Sequence, residues 1–109
     1  MISAEEVAKY FLSKDPNRQL FNNNIVIKNN RKFYEGNVRL NKYLFLTQVL
    51  YLARYEKKLI IDDFVAYDNG PVIQNIIKDY PLMVSRNETI CFNNNIKLFL
   101  DKVYGALEN

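Results

Sequence analysis

Apolar positions at helical spacing open the chain. The first stripe has i, i+3, i+4, i+7 spacing and consists of Ala4, Val7, Ala8 and Phe11. Ser3 stands before it and three residues ahead of Glu6, the spacing of a capping box, in which each side chain bonds a free backbone N–H of the first turn. Pro16 disfavours helical geometry at the residue before it, so this helix is predicted to end within SKDPN.

A β-branched run follows and predicts a β-hairpin. Residues 25–27 (IVI) are typical of a strand, and the pair Asn29 and Asn30 tolerates the left-handed conformations of a tight turn. RKFYE then supplies the returning strand, which Gly36 closes. An irregular surface loop is the alternative interpretation, because an isolated hairpin is only marginally stable.

The longest helix is predicted over residues 38–55, which are apolar around most of the helical circumference, as in a central buried helix. Residues 59–65 fit either a strand or a single helical turn. Pro71 fits the first position of another helix, with Gly70 as its cap, and Pro81 predicts that this helix ends near residue 80.

The C-terminal part reads as a loop with a strand over residues 89–92, and then a last helix capped by Asn94 or Asn95. Its stripe comprises Ile96, Phe99, Leu100, Val103 and Leu107. These elements predict a mainly α (α+β) fold, a compact bundle of about five helices with a minor β-hairpin. Its 109 residues are the length of a single domain, 1–109.

Composition narrows the chemistry. The chain has no His, one Cys and three Gly, which argues against Ser-His-Asp and Cys-His catalysis, His/Cys zinc sites and glycine-rich phosphate loops. We therefore predict no catalytic residue, no metal and no cofactor; an enzyme using Lys, Asp and Tyr is a remote alternative. The first residues carry carboxylates where a signal peptide would be apolar, and the single Cys91 forms no internal disulfide, so we expect a cytoplasmic protein without a membrane partner. Cys91 is interpreted as a small buried hydrophobe.

Charge is unevenly distributed. Residues 1–58 hold 11 Lys or Arg and 5 Asp or Glu, a net +6, whereas residues 59–109 hold 4 and 7, a net −3. A basic half can meet an acidic protein or nucleic acid, but its cations are scattered without the dense cluster of a phosphate-binding stripe. The acidic pair Asp62 and Asp63 is interpreted as a helix or turn cap rather than as metal ligands.

The segment AYDNGPVIQNI has two interpretations. Helix initiation accounts for its residues, yet the free N–H groups of a helix start also favour a partner's carboxylate. Tyr67 is either a binding aromatic or a hairpin or core residue.

In order and spacing these segments resemble the Panacea domain, the family of SocA/GepA-like phage-associated antitoxins. The resemblance rests on the opening helix (residues 7–12), the long helix (40–53), Lys58 with Leu59, the acidic pair, Ala66 with Tyr67, and Gly70-Pro71-Val72. It differs in two respects. Residues 14–37 are interposed between the first two helices, and the family's C-terminal segment, with its His and Trp, is expected to be missing.

The resemblance implies an antitoxin that neutralises a cognate toxin by direct binding. Its alternatives are an adaptor that delivers a toxin or other client to a protease, and a nucleic-acid-binding phage regulator. The residues hypothesised to border the partner-binding surface, because the family's box falls there, are Tyr67, Asp68, Asn69, Gly70 and Pro71. The sequence leaves the toxin and the oligomeric state open.

Overall fold

The computed structural model describes residues 1–68 and 70–108, and in these it forms four helices and four short strands. The helices are α1 (Ala4–Ser13), α2 (Glu35–Tyr55), α3 (Gln74–Val84) and α4 (Asn94–Glu108). Two separate antiparallel hairpins pair β1 (Ile25–Lys28) with β2 (Arg31–Tyr34), and β3 (Val65–Tyr67) with β4 (Gly70–Val72). The fold is α+β, but the prediction of about five helices is wrong for the described residues.

The predicted capping box, apolar stripe and C-terminal end of helix α1 are all confirmed. The Ser3 hydroxyl accepts a hydrogen bond from the Glu6 backbone N–H at 3.1 Å, and the Ser3 N–H donates to the Glu6 carboxylate at 3.2 Å. The stripe Ala4, Val7, Ala8 and Phe11 is fully buried, and the helix ends at Ser13, within the predicted segment. Local sequence signals and tertiary burial agree here.

Helix α2 is the centre of the fold and packs against the other three helices and strands β2 and β4. It begins at Glu35, three residues before the predicted start, so Gly36 lies in its first turn instead of closing the hairpin. Its C-terminal half presents Val49, Leu50 and Leu52 to solvent at 41–46% exposure. The central position is confirmed, while burial around most of the circumference is wrong for this half.

The segment after α2 is extended because Gln48 bonds its backbone. The Gln48 Oε1 accepts the N–H groups of Leu59 and Ile60 at 3.1 and 2.9 Å, and its Nε2 donates to the Ile60 carbonyl at 2.9 Å. Ile60 also forms a parallel bridge with Ile2. These bonds favour the extended interpretation over a helical turn.

The acidic pair contains a helix cap. Asp62 accepts a hydrogen bond from the Ala4 N–H at 2.8 Å, so its carboxylate sits at the N-terminus of α1. There it satisfies a donor that has no partner inside the helix and interacts favourably with the helix dipole. The interpretation of Asp62 as a cap is confirmed.

Helix α3 extends past Pro81 to Val84, so the prediction that it ends near residue 80 is wrong. Proline removes one backbone donor and crowds the preceding turn. The next turn nevertheless stays helical because Met83 and Val84 are buried beside the fully buried Tyr80. Tertiary burial overrides the local signal.

The chain between α3 and α4 departs from its prediction in three ways. Residues 89–92 form no strand, and Cys91 is exposed rather than buried. The Asn93 side chain accepts the Ile96 N–H at 3.0 Å, so the cap of α4 is Asn93 and not Asn94 or Asn95. The stripe of α4 is confirmed: Phe99, Leu100 and Val103 are buried, and its two end residues are half-buried.

None of the described helices combines the length and the apolar character that crossing a membrane requires.

Candidate functional site

A groove of about 490 Å³ lies between the two hairpins, over the N-terminal half of α2. Its volume falls within the range of pockets that hold small ligands or several side chains of a partner. The floor is mainly apolar and includes Phe33, Val38, Phe45, Val72 and Ile77. The groove therefore offers apolar contact to any molecule that enters it.

Four of the five residues predicted to contact a partner line this groove: Tyr67, Asp68, Gly70 and Pro71. The fifth, Asn69, lies outside the described residues. The interpretation of Gly70 and Pro71 as a helix start is wrong, because both belong to β4, where Pro71 pairs with Ala66. Gly70 has φ of 111°, a conformation that strongly favours glycine, so it serves the hairpin turn.

The position of β4 is set from α2 by a buried asparagine. Asn41 is 2% exposed, and its Oδ1 accepts the Ile73 backbone N–H at 2.9 Å. That bond holds the chain just after β4 against α2 and delays the start of α3 to Gln74. The hairpin in the family's box therefore depends on a side chain about thirty residues earlier.

The same asparagine orients Asn37. Because its Oδ1 faces the Ile73 donor, the Asn41 Nδ2 must point the other way, where it donates to the carbonyl and Oδ1 of Asn37 at 3.0 and 3.1 Å. Asn37 thus presents its Oδ1 to Asn41, and its own Nδ2 donates to none of the described residues. Asn37 is 5% exposed and lines the groove. It leaves an oriented amide donor at the groove floor.

Four exposed cations line the groove: Lys28, Arg31, Lys32 and Lys42. Within residues 1–68 and 70–108 none of them forms a salt bridge, and Asp68 is the single carboxylate among the described lining residues. Unpaired charges of one sign around an apolar depression attract a ligand of opposite sign. In the same part of the chain no group of three or more His, Cys, Asp or Glu could hold a metal ion.

Tyr67 is the exposed aromatic of the groove wall, at 44% exposure. Phe45 of α2, which also lines the groove, packs edge-to-face on Phe64, with ring centroids 5.4 Å apart. A tyrosine held on a hairpin offers a large contact area and loses little side-chain entropy on binding. Of the two interpretations of Tyr67, the hairpin aromatic is confirmed, and its exposure leaves it free to contact a partner.

The sequence interpretation did not include Asn37, Asn41 or the four cations in the site. A signal for the asparagines was present: Asn37 and Asn41 are four residues apart and in helical phase with Leu44 and Gln48, on the buried face of α2. Polar residues on such a face must find hydrogen-bond partners. The cations come from three elements, so only the tertiary fold brings them together.

The open groove lies on a small α+β scaffold. The chain belongs to the antitoxin SocA-like, Panacea domain family, whose model matches residues 40–108, more than half of its length. The match covers most of α2, the β3–β4 hairpin, α3 and α4, while α1 and the β1–β2 hairpin precede it. No match is found among curated proteins or among solved structures.

Proposed function

We propose that this chain is an antitoxin that neutralises a cognate toxin by binding it directly, without catalysis, through the groove between the two hairpins. The family supports an antitoxin role in general. The observation that carries the finer proposal is that Tyr67, Asp68 and residues 70–72 of the family's box line one wall of a groove whose cations have no carboxylate partner among the described residues.

The proposed mechanism is occlusion. The toxin contributes apolar side chains that fill the groove over Phe33 and Phe45, and polar groups that meet the charged rim. Tyr67 and Asp68 are exposed on the opposite wall and contact the same segment. Part of this surface comes from β1–β2, which precedes the matched residues. The hairpin therefore gives this chain its own choice of partner within the family.

The test is co-expression of the chain with the candidate toxin encoded beside it, scoring growth and co-purification. The double variant Tyr67→Ala/Asp68→Ala should lose rescue and complex while keeping its circular dichroism spectrum. A matched control is Leu98→Ala/Asp63→Ala, which removes an exposed apolar residue and an exposed carboxylate away from the groove.

Two results would contradict the proposal. If the Tyr67→Ala/Asp68→Ala variant rescued growth as well as the wild type, the groove would not be the binding surface. Rescue that required an intact host protease would favour the adaptor instead, because an occluding antitoxin needs no degradation of the toxin.

A further inference from the structure

The residues that line the groove also indicate the chemistry of the segment that it binds. We infer that it binds a short acidic segment in which a carboxylate is flanked by aromatic or aliphatic side chains. This inference rests on the proposed function for the source of the segment, a partner protein, but its chemistry is argued from the groove alone.

An oriented amide donor in the groove favours an acceptor in the ligand. The Asn37 Nδ2 lies at the groove floor, on a side chain that is 5% exposed, and donates to none of the described residues. Its direction is fixed by the chain of bonds from the Ile73 N–H through Asn41. None of the described side-chain N and O atoms is both buried and unpaired, so this Nδ2 retains solvent access and a ligand that brings an acceptor can reach it. A carboxylate oxygen satisfies it with a charge-assisted bond.

The charge of the groove rim favours an acidic ligand. Lys28, Arg31 and Lys32 stand on the β1–β2 hairpin and Lys42 on α2, whereas the described lining residues offer one carboxylate, that of Asp68. Bringing an acidic segment to this rim is electrostatically favourable, and a basic segment would be repelled. Asp68 stands on the opposite hairpin and suits a donor, such as a backbone N–H or a hydroxyl, at the far end of the segment.

The apolar floor of the groove favours a peptide over nucleic acid. The floor is apolar, with aromatic rings from Phe33 and Phe45 and aliphatic side chains from Val38, Val72 and Ile77. A phosphate backbone needs cations along its whole track, and this groove places them on its rim only. An amphipathic peptide fills the floor with apolar side chains and meets the rim with carboxylates.

Two synthetic probes test the inference without the toxin. One is a fluorescein-labelled twelve-residue peptide with Glu and Phe separated by Gly and Ser, and the other has Gln in place of every Glu. Binding is followed by fluorescence anisotropy at low ionic strength, and a dT12 oligonucleotide of the same label serves as the polyanion. The Glu peptide should bind at least about tenfold more tightly than the Gln peptide and the oligonucleotide, as expected when carboxylates meet unpaired cations and an oriented amide donor.

Two variants and a control locate the binding. Asn37→Asp keeps the acceptor for Asn41 but removes the donor, and Lys32→Glu/Lys42→Glu reverses the rim; each should weaken the Glu peptide about tenfold. Lys57→Glu/Lys102→Glu changes the net charge equally at exposed positions away from the groove and should leave binding unchanged. Equal binding of the Glu and Gln peptides, tighter binding of dT12, or equal loss in the control would overturn the inference.

The outcomes separate this inference from the proposed function. If the Glu peptide binds in the groove but the toxin does not bind at all, the chemistry stands and the antitoxin function fails. If the toxin binds and both groove variants retain it while the peptides show no preference, the function stands and this inference fails.

Discussion

Around α1, lysines have carboxylate partners: the Lys9 Nζ lies 2.7 Å from Glu88 in the loop between α3 and α4, and the Lys14 Nζ lies 2.7 Å from Asp101 of α4. Lys14 also lies over the rings of Tyr10 and Tyr104. The four cations of the groove have no such partner among the described residues. The paired charges around α1 therefore contribute to the native fold, whereas the cations of the groove remain available to a ligand.

The partners of Asp101 affect the pKa of its carboxyl. Burial alone would raise the pKa of the Asp101 carboxyl, but hydrogen bonds from Lys14 and Tyr10 outweigh it and hold that pKa below the ordinary 3.8. Burial, and then the same bond to Asp101, raises the pKa of the Tyr10 hydroxyl. The carboxylate is thus kept ionised as a structural group between two helices.

The largest expected effect on stability comes from a substitution at Gly36, in the first turn of the helix that underlies the groove. A Cβ added at Gly36 would overlap the Tyr80 hydroxyl and the backbone of Phe21 and Asn22, where Tyr80 donates to the Asn22 carbonyl at 2.9 Å. Gly36→Ala should lower the free energy of unfolding by about 3 kcal/mol, measured by urea denaturation, because a packed backbone must move. Gly105→Ala is the control: its Cβ meets nothing within 4 Å, and the helix should gain about 0.5–1 kcal/mol. Equal stability of the two variants would refute this account of Gly36.

The next largest effect on stability comes from breaking the hydrogen bond that holds the chain after β4 against α2. Asn41→Leu leaves the Ile73 N–H without its acceptor and should cost about 2–3 kcal/mol in the same measurement. Asn23→Leu, at an exposed position, should change stability by less than about 0.5 kcal/mol. A variant at position 41 as stable as the one at position 23 would mean that Asn41 does not hold β4.

A smaller effect is expected for Asp101, whose contribution to stability depends on pH. Since the folded pKa of Asp101 lies below its unfolded value, its contribution is present above about pH 4 and is lost as pH falls through the folded pKa. Asp101→Asn should cost about 1 kcal/mol at pH 7, and its difference from the wild type should disappear near pH 2. Asp63→Asn, whose carboxylate is exposed and 3.9 Å from Lys58, should show almost no difference at either pH. A deficit in Asp101→Asn that persists unchanged at low pH would contradict the assignment.

The smallest expected effect on stability belongs to the groove itself. Lys32→Glu/Lys42→Glu should change the free energy of unfolding by less than about 0.5 kcal/mol, since neither lysine has an ion-pair partner among the described residues. The measurement is urea denaturation at two ionic strengths. A loss comparable to that of Asp101→Asn would mean that these cations also contribute to folding.

Local signals predicted the elements whose causes lie within a few residues. The capping box at Ser3 and the turn at Asn29 and Asn30, with φ of 53° and 62°, are both present as expected. The β3–β4 hairpin was not predictable in this way, because Gly70-Pro71 is equally typical of a helix start. What decides between the two is the bond from Ile73 to Asn41 on another element.

The site was predictable to a similar extent. The family's box selected Tyr67 and Asp68 for the hypothesised surface, and both are exposed and line the groove. The rim was not predictable, because Lys28 and Lys42 appear in the sequence as isolated charges and Arg31-Lys32 as a single pair, and they converge only when β1–β2 packs beside α2. A contact made by side chains from different elements needs the tertiary fold.

The most direct measurement of the central claim is hydrogen–deuterium exchange of the chain, free and in complex with the co-purified toxin. The account predicts that amides of residues 28–33 and 65–72 become protected on binding, while those on the outer face of α4 do not. Protection confined to α4 and the C-terminal half of α2, with both hairpins unchanged, would contradict it and place the partner on the opposite side of the molecule.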